Sequence, residues 1–345
     1  MKRNQIVSDF LANDTEMPLH VIYQQLRGQC HELKDMTEIC LATENEENQR
    51  TAMEYLYVNG LYDELKVMID KIKYATNDVN RKSARIYQIM YERKTIAATQ
   101  LKPDTPSKYI KAVNRLKINE EDITVRILKD LVHIYGYFDM HQYGKIGTFN
   151  ESIKRLLIQV KDPLLYELFE SRLNEALFIY HWKRNELILS RKYGYQLLKE
   201  ANNPRKQIDI HNILAQGYLF DSYEQAMHHM SVAIEMAEQL SYERATYGLK
   251  NYTLPFISAY YKKTEGITSL DLAEQAHIAF AEGNNETCIE ILADFEQLTP
   301  FQQYYLGQAK QDKYLLRTAY QRFIEERDDY FYARLPLEAL NALDQ

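Results

Sequence analysis

The sequence predicts an all-α protein: a right-handed superhelix of tetratricopeptide-like helical hairpins with a short N-terminal helical segment. The first observation behind this prediction is the scarcity of Gly (11) and Pro (8) among 345 residues. A β-rich or α/β chain of this length needs more of both for its turns. The second is that apolar residues recur at helical spacing over long segments. The third is that several of these segments follow one repeat pattern in phase.

The repeat pattern is that of tetratricopeptide units, in which small residues let two helices approach and large residues fill the gap to the next unit. In the stretch ILAQGYLFDSYEQA, residues 213–226, one helix ends, a short turn follows and a second helix begins. The residues that we align with positions of this repeat are Gly60, Tyr62, Leu65, Ile69, Tyr223, Ala226, Met230, Ala233, Ala276, Gly283, Cys288, Leu292, Leu306, Gly307, Ala319 and Phe323.

Turn-forming residues separate these units at ANNPRKQ, EGNN, LTPFQ and LKPDTPSK. The last of these, residues 101–108, is the richest break. We therefore expect N-terminal helices over residues 1–37 and a repeat domain over residues 38–345, with a further break at 101–108. Stacked units of this kind form a concave surface, a common place to bind peptides.

Tyrosine is unusually abundant, with 28 residues against 12 Phe and one Trp. Its ring is apolar and its hydroxyl polar, which suits half-buried surfaces such as the inner faces of helical arrays. The alternative is that Tyr simply replaces Phe at helix–helix contacts. The composition alone leaves both interpretations open.

The three cysteines, Cys30, Cys40 and Cys288, have neither metal-site nor disulfide-framework spacing, which is typical of a reducing cytosol. The N-terminus is too polar for a signal peptide. No apolar run approaches the roughly 20 residues that span a bilayer. We expect a cytoplasmic protein without a membrane partner.

Charge gives no clear footprint for nucleic acid, since the formal net charge is −7. Residues 1–34 carry four basic and four acidic side chains, so DNA binding by this segment is doubtful. Residues 183–206 carry seven basic residues against two acidic ones. That run is either a solvated helix face or an attraction for an acidic ligand.

Motifs that carry catalytic chemistry do not occur in the sequence, neither phosphate-binding loops nor zincin or nucleophile-elbow patterns. Glu274 and His277 form one E-x-x-H, whereas di-iron bundles need two such pairs with further carboxylates. His228 and His229 are adjacent and point in different directions on a helix. We expect no enzyme activity, no cofactor and no metal.

Several segments resemble the C-terminal repeats of the AimR family: FESRLNEALFIYHWKRNELIL, SLDLAEQAHIAF, YYLGQAKQDKYLLRTAYQRF and DDYFYARLPLEAL. AimR proteins are the phage arbitrium receptors, tetratricopeptide relatives of peptide-pheromone receptors. The resemblance runs from about Glu38 to Leu343. It implies a receptor in the host bacterial cytoplasm for a communication peptide of about six residues. Peptide binding would regulate transcription in the lysis–lysogeny decision.

The resemblance also implies peptide-binding residues. Arg205, Asp329, Gln216 and Asn251 match family positions, and Lys183 stands where the family has an asparagine. Arg205 would take a carboxylate or carbonyl of the peptide. Asp329 would pair with a basic side chain of the peptide. The two amide side chains would each donate to and accept from an extended backbone.

Three of these residues also have a purely structural interpretation. Arg205 follows Pro204 at a helix start, Asp329 would cap the following helix, and Gln216 would be an ordinary polar residue of a wall. The family's i,i+4 asparagine pair appears here as Ile179 and Lys183, so we expect peptide recognition to differ at one end.

The ends of the chain depart from the family pattern. Residues 1–37 resemble only the later helices of a helix-turn-helix head, and the chain stops at LEALNALDQ, where the family has a further apolar helix used in dimerisation. DNA binding and a homodimer are therefore open expectations. The alternative function is a peptide-gated adaptor that acts through protein–protein contact without DNA. An enzyme built on the repeats is a third and weaker hypothesis.

Overall fold

The structure is a computed structural model that describes residues 4–13, 15–96, 102, 104–201 and 203–344. Throughout these residues the regular structure is helical, without a β-strand, which confirms the predicted all-α class. The chain forms two compact units. Unit 1 comprises residues 1–140 and 145–176, and unit 2 comprises residues 141–144 and 177–345.

Helices of unit 1 are α1 (Gln5–Ala12), α2 (Leu19–Leu26), α3 (Glu32–Ala42), α4 (Glu46–Val58), α5 (Tyr62–Ile72), α6 (Asp78–Thr95), α7 (Thr105–Asn114), α8 (Ile123–Asp139), α9 (Gly147–Leu157) and the first part of α10 (Pro163–Lys183). Unit 2 continues with the end of α10 and with α11 (Leu187–Glu200), α12 (Pro204–Gly217), α13 (Tyr223–Gln239), α14 (Glu243–Gly248), α15 (Leu254–Tyr260), α16 (Leu272–Ala281), α17 (Asn285–Ala293), α18 (Pro300–Ala309), α19 (Lys313–Glu325) and α20 (Arg334–Leu343). A 3₁₀ segment spans Tyr143–Ile146 and a π-helical segment spans Leu249–Thr253.

The predicted boundary at residue 37 lies inside helix α3. Of the predicted break at 101–108, residues 101 and 103 lie outside the described residues, and helix α7 begins at Thr105. In the predicted turn ANNPRKQ, residue 202 also lies outside them. The division between the two compact units falls within α10, between residues 176 and 177.

Side-chain caps set the starts of the hairpin helices. Ser222 accepts from the backbone N–H of Gln225 and so begins α13, the second helix of the stretch at 213–226. Thr299 and Gln302 form a capping box that begins α18. Each cap satisfies N–H groups that a helix start leaves without intrahelical partners.

Tight turns between hairpin helices use the left-handed backbone region. Gly60 (φ 73°) and Gly283 (φ 86°) occupy it, as glycine does without steric penalty. Among the described residues, six with a Cβ also adopt it, namely His141, Asn185, Ser241, Lys262, Gln311 and Asp328. Because residues other than glycine also fill this region, the low glycine content does not mean that the chain has few left-handed turns.

Close helix packing follows the predicted small positions of the repeats. A Cβ added to Gly307 in α18 would lie 3.0 Å from the Leu316 side chain in α19. Ala226, Ala276 and Ala319 are fully buried between helices of unit 2. The repeat pattern thus correctly located the contacts that hold each hairpin together.

The core of unit 1 contains a buried ion pair that the sequence pattern did not indicate. Arg172 of α10 donates from Nη1 to both carboxylate oxygens of Glu54 in α4, at 3.0 and 2.7 Å. Its Nε donates to the Tyr135 hydroxyl at 2.9 Å, and its Nη2 lies 3.1 Å from the Met90 sulfur. The Tyr87 hydroxyl donates to Glu54 Oε2. Arg172 and Glu54 are 1% and 0% exposed, so water does not screen this pair.

Candidate functional site

Lys183 and Asp329, two of the predicted site residues, form a buried ion pair in unit 2. The Lys183 ammonium lies 2.6 Å from Asp329 Oδ2, and the side chains are 8% and 4% exposed. Asp329 Oδ1 accepts the backbone N–H of Tyr332 at 3.0 Å, so each oxygen of the carboxylate has a donor. Burial lowers the pKa of Lys183, and the Asp329 carboxylate opposes that shift.

The loop between α19 and α20 places Asp329 at the end of α10. The backbone N–H groups of Tyr330 and Phe331 donate to the Lys183 carbonyl at 2.8 and 3.2 Å. These bonds satisfy a carbonyl that the helix end leaves open. Asp329 caps the turn at Tyr332, two residues before α20 begins, so its predicted capping role holds for the turn that precedes the helix.

Three aromatic rings surround the Lys183 ammonium. Its Nζ lies 3.9 Å from the Trp182 ring centroid, 4.5 Å from that of Tyr332 and 5.4 Å from that of Tyr143. Aromatic faces attract cations at these distances. We call these three rings, Asp329 and Lys183 the lysine cage.

Gln216 joins the lysine cage through Tyr332. The Tyr332 hydroxyl donates to Gln216 Oε1 at 2.5 Å, and Gln216 Nε2 donates to the side chain of Asn212 one turn earlier at 3.3 Å. Burial first, and then Asp329, raise the pKa of Tyr332 well above its ordinary range, so this hydroxyl stays a donor. Gln216 thus has an acceptor and a donor engaged within unit 2.

Arg205 lies on the same face of α12 as Gln216, about three helical turns before it. Its guanidinium contacts Asp209 one turn further along, with 3.2 Å between Nη2 and Oδ1, and its side chain is 44% exposed. One such contact leaves most of its donors open to a ligand. Its predicted role at the helix start is taken by Asn203, whose side chain caps α12.

Asn251 is the predicted site residue whose contacts lie elsewhere. Its Oδ1 accepts the backbone N–H of Leu270 at 2.7 Å, and its Nδ2 donates to the Tyr247 carbonyl at 3.0 Å. Its own carbonyl accepts the Ser269 hydroxyl at 2.7 Å. Within the π-helical segment it therefore holds the loop before α16, and it makes no contact with the lysine cage.

Glu274 and His277, the E-x-x-H pair of the sequence, are buried on α16 at 9% and 1% exposure. The Tyr305 hydroxyl donates to Glu274 Oε1 at 3.2 Å, and the Tyr305 ring stacks on His277 with centroids 4.1 Å apart. Glu274 Oε2 has no hydrogen-bond partner and lies 3.6 Å from His277 Nδ1. Phe256 contacts both His277 and Tyr332, so this pair adjoins the lysine cage.

A second polar cluster of unit 2 lies between α11, α12 and α13. His229 is buried, its Nε2 is 3.1 Å from the Tyr195 hydroxyl, and its Nδ1 is 2.9 Å from Nδ1 of His211. Burial, then His211 and His228, lower the pKa of His229 to about 4. Burial and His228 also lower the pKa of His211. Both rings are therefore neutral at pH 7.

The basic run at 183–206 is largely paired within unit 2. Lys183, Arg191 and Arg205 contact the carboxylates of Asp329, Asp221 and Asp209. Arg184 lies over the Tyr330 ring at 4.6 Å. This pairing favours the structural interpretation of the run over a continuous surface for an acidic ligand.

The described part of the chain has neither a metal-site cluster nor a bilayer-spanning helix. There, no group of three or more His, Cys, Asp or Glu side chains is arranged to hold a metal ion. None of the described helices has the length and apolar character needed to cross a bilayer.

A family model described as AimR transcriptional regulator-like matches residues 32–342. The chain belongs to the AimR family. AimR proteins are transcriptional regulators, and this placement confirms the resemblance that the repeat motifs indicated.

The AimR transcriptional regulator of Bacillus phage SPbeta is 22% identical over 349 residues, covering 96% of this chain and 86% of that protein. An uncharacterized protein of Bacillus anthracis is 22% identical over 227 residues, covering 63% of this chain and 84% of its own. The solved structure of phAimR with ligand has a TM-score of 0.74 at 17% identity, covering 96% of this chain and 98% of that one. The likeness to phAimR shows that the two chains share the all-helical fold.

Proposed function

We propose that this AimR-family chain is a cytoplasmic receptor for a short communication peptide, and that peptide binding controls its action on transcription in the lysis–lysogeny decision. Membership of a family of transcriptional regulators supports the second part. The ligand bound by phAimR, a protein of the same fold, supports the first.

The observation that most supports peptide binding is the connected cluster in unit 2. Lys183, Asp329 and Gln216 are far apart in the sequence and meet through Tyr332. Arg205 lies on the Gln216 face of α12 with most of its donors open. An extended peptide needs such a mixture of donors and acceptors along one wall, with a cation for its terminal carboxylate. Asn251, whose side chain is bonded to a neighbouring loop, is the predicted residue with the least support for a role in peptide binding.

Isothermal titration calorimetry with the hexapeptides encoded downstream of the gene tests the proposal. We expect one of them to bind, and Arg205→Ala to weaken that binding at least about tenfold, because a charge-assisted hydrogen bond is lost. Arg81→Ala is the matched control, since Arg81 also forms an exposed pair with an aspartate of its own helix, Asp78. If none of the hexapeptides binds, or if Arg205→Ala binds as wild type does, the proposal fails.

Action through DNA and action through a protein adaptor are separated by an electrophoretic shift with the intergenic DNA beside the gene. A sequence-specific, salt-sensitive shift supports direct DNA binding and removes the adaptor function. Peptide binding in calorimetry without any shift, over a range of salt concentrations, supports the adaptor.

A further inference from the structure

The lysine cage has the composition of a cation-binding site. Proteins bind ammonium groups with aromatic faces, and a carboxylate strengthens the attraction when water is excluded. Trp182, Tyr332, Tyr143 and Asp329 supply both kinds of group. The cation that occupies this site is Lys183, a side chain of the same chain.

Both oxygens of the Asp329 carboxylate already have a hydrogen-bond donor. Asp329 Oδ2 binds the Lys183 ammonium and Oδ1 binds the Tyr332 N–H. A second cation at Asp329 would approach an ammonium that is already buried, at the cost of like-charge repulsion. It would therefore have to displace Lys183, whose backbone carbonyl is itself fixed by Tyr330 and Phe331.

Lys183 is also tethered, whereas a ligand is not. A tethered group has already lost its translational freedom and binds at a high effective concentration. An arginine or lysine of a peptide would lose translational and rotational entropy on binding, and it would also have to compete with the internal ammonium. The internal cation is therefore favoured over one supplied by a ligand.

We infer that Lys183 acts as a built-in substitute for a ligand cation, and that Asp329 therefore takes no basic side chain of the ligand. This inference rests on the proposed peptide-receptor function and replaces the expectation that Asp329 pairs with a basic side chain of the peptide. Removing the Lys183 ammonium vacates a cation site that accepts a basic side chain or a small alkylammonium ion.

The first experiment needs no peptide. Thermal unfolding of Lys183→Ala is measured in propylammonium chloride and in sodium chloride at equal ionic strength. We expect propylammonium to raise the melting temperature of the variant by several degrees relative to sodium, because an ion that binds only the folded state stabilises it. Wild type should show no such difference. Equal responses of variant and wild type would overturn the inference.

The second experiment compares two hexapeptide pools by calorimetry or fluorescence polarisation. One pool carries arginine scanned through all six positions, and the other carries citrulline, its neutral isostere, at the same positions. We expect wild type to bind the arginine pool no more tightly than the citrulline pool. Lys183→Met should shift the ratio towards arginine by at least about tenfold.

Two outcomes of the pool experiment contradict the inference. One is an unchanged arginine-to-citrulline ratio in Lys183→Met. The other is a tenfold arginine preference of wild type that Asp329→Asn abolishes. If no peptide of either pool binds any variant, the proposed receptor function fails, while the propylammonium experiment still decides whether the cage takes an external cation.

Discussion

Helix α10 carries two buried cations, Arg172 in unit 1 and Lys183 in unit 2, and their surroundings differ. Every nitrogen of the Arg172 guanidinium has a polar or sulfur partner, and Tyr57 lies under its plane at 4.5 Å. The Lys183 ammonium has one hydrogen bond, to Asp329, and otherwise faces aromatic rings.

This difference separates a cation held at every nitrogen from one whose site could accept another cation once the side chain is removed. A planar guanidinium held at all its nitrogens leaves no room for another cation. An ammonium held by one carboxylate and by ring faces occupies a site that other cations can fill when the ammonium is removed. The comparison predicts that the Arg172 cluster determines stability, while the lysine cage determines which ligand binds.

The largest effect is expected from Arg172→Met, which leaves the Glu54 carboxylate buried without its counter-ion. Breaking a buried pair on one side costs about 3–5 kcal/mol of unfolding free energy. Urea unfolding followed by circular dichroism measures it. Lys66→Met, which removes an exposed pair with Asp70, is the matched control and should cost less than about 1 kcal/mol.

The double variant Arg172→Met/Glu54→Leu tests the cause. Because it leaves no buried charge, it should recover most of the loss of the single variant. If Arg172→Met is as stable as Lys66→Met, the Arg172–Glu54 pair does not determine the stability of the chain.

A smaller effect is expected from Asp329→Asn, the corresponding change in the lysine cage. Lys183 already has a lowered pKa and retains its rings, so it can lose its proton when its counter-ion is removed. We expect a loss of roughly 2 kcal/mol in the same urea experiment. A loss equal to that of Arg172→Met would remove the distinction between the two sites.

Two tyrosines sharpen the comparison through their hydroxyl groups. The Tyr87 hydroxyl donates to the Glu54 carboxylate, whereas the Tyr332 hydroxyl donates to the neutral Gln216 amide. Hydrogen bonds to charged groups contribute about 1.5–3 kcal/mol and neutral ones about 0.5–1.5. Urea unfolding should therefore show Tyr87→Phe to be less stable than Tyr332→Phe, and the reverse order would contradict this assignment.

The smallest effect is expected from mild acid, which acts on His229 of unit 2. Its pKa in the folded chain is about 4, below the ordinary value of about 6.5. As the pH falls below 6.5, His229 binds a proton in the unfolded chain but not in the folded chain. The free energy of unfolding therefore decreases, and this decrease is complete near pH 4. The groups facing this ring are His211, Tyr195 and Tyr218, with His228 beside it.

Urea unfolding at pH 7.5 and pH 6 measures this acid effect, which should be somewhat below 1 kcal/mol for one such histidine. His229→Phe should reduce the difference between the two pH values. His31→Gln, a change at an exposed histidine of unit 1, should leave it as in wild type. An equal pH dependence of His229→Phe and wild type would rule out this ring as the cause.

Sequence periodicity predicted the scaffold because repeat packing depends on local spacing. Gly307 and Ala319 lie where the tetratricopeptide pattern places small residues, and the structure packs them closely. The two ion pairs have no such signal. Lys183 and Asp329 are 146 positions apart, and Arg172 and Glu54 are 118 apart. Only the three-dimensional arrangement shows that each charge has a partner in its own unit.

The predicted site residues had different outcomes, because their contacts also depend on the three-dimensional arrangement. Family resemblance pointed to Asp329 but gave no sign that Lys183 occupies it. Asn251 matched a family position, and the structure places it in a π-helical segment, where its amide accepts a hydrogen bond from the neighbouring loop. Glu274 was found as a motif, yet its burial depends on Tyr305, which belongs to the next hairpin.

The left-handed turns have a practical consequence for protein engineering. Ser241, Lys262 and Gln311 carry side chains in a region where a Cβ is strained by roughly 1–2 kcal/mol. Glycine at these three positions would relieve that strain without touching the residues proposed to bind the ligand. A background that carries all three substitutions would have a higher free energy of unfolding. Destabilised variants made in that background would then stay folded during calorimetry.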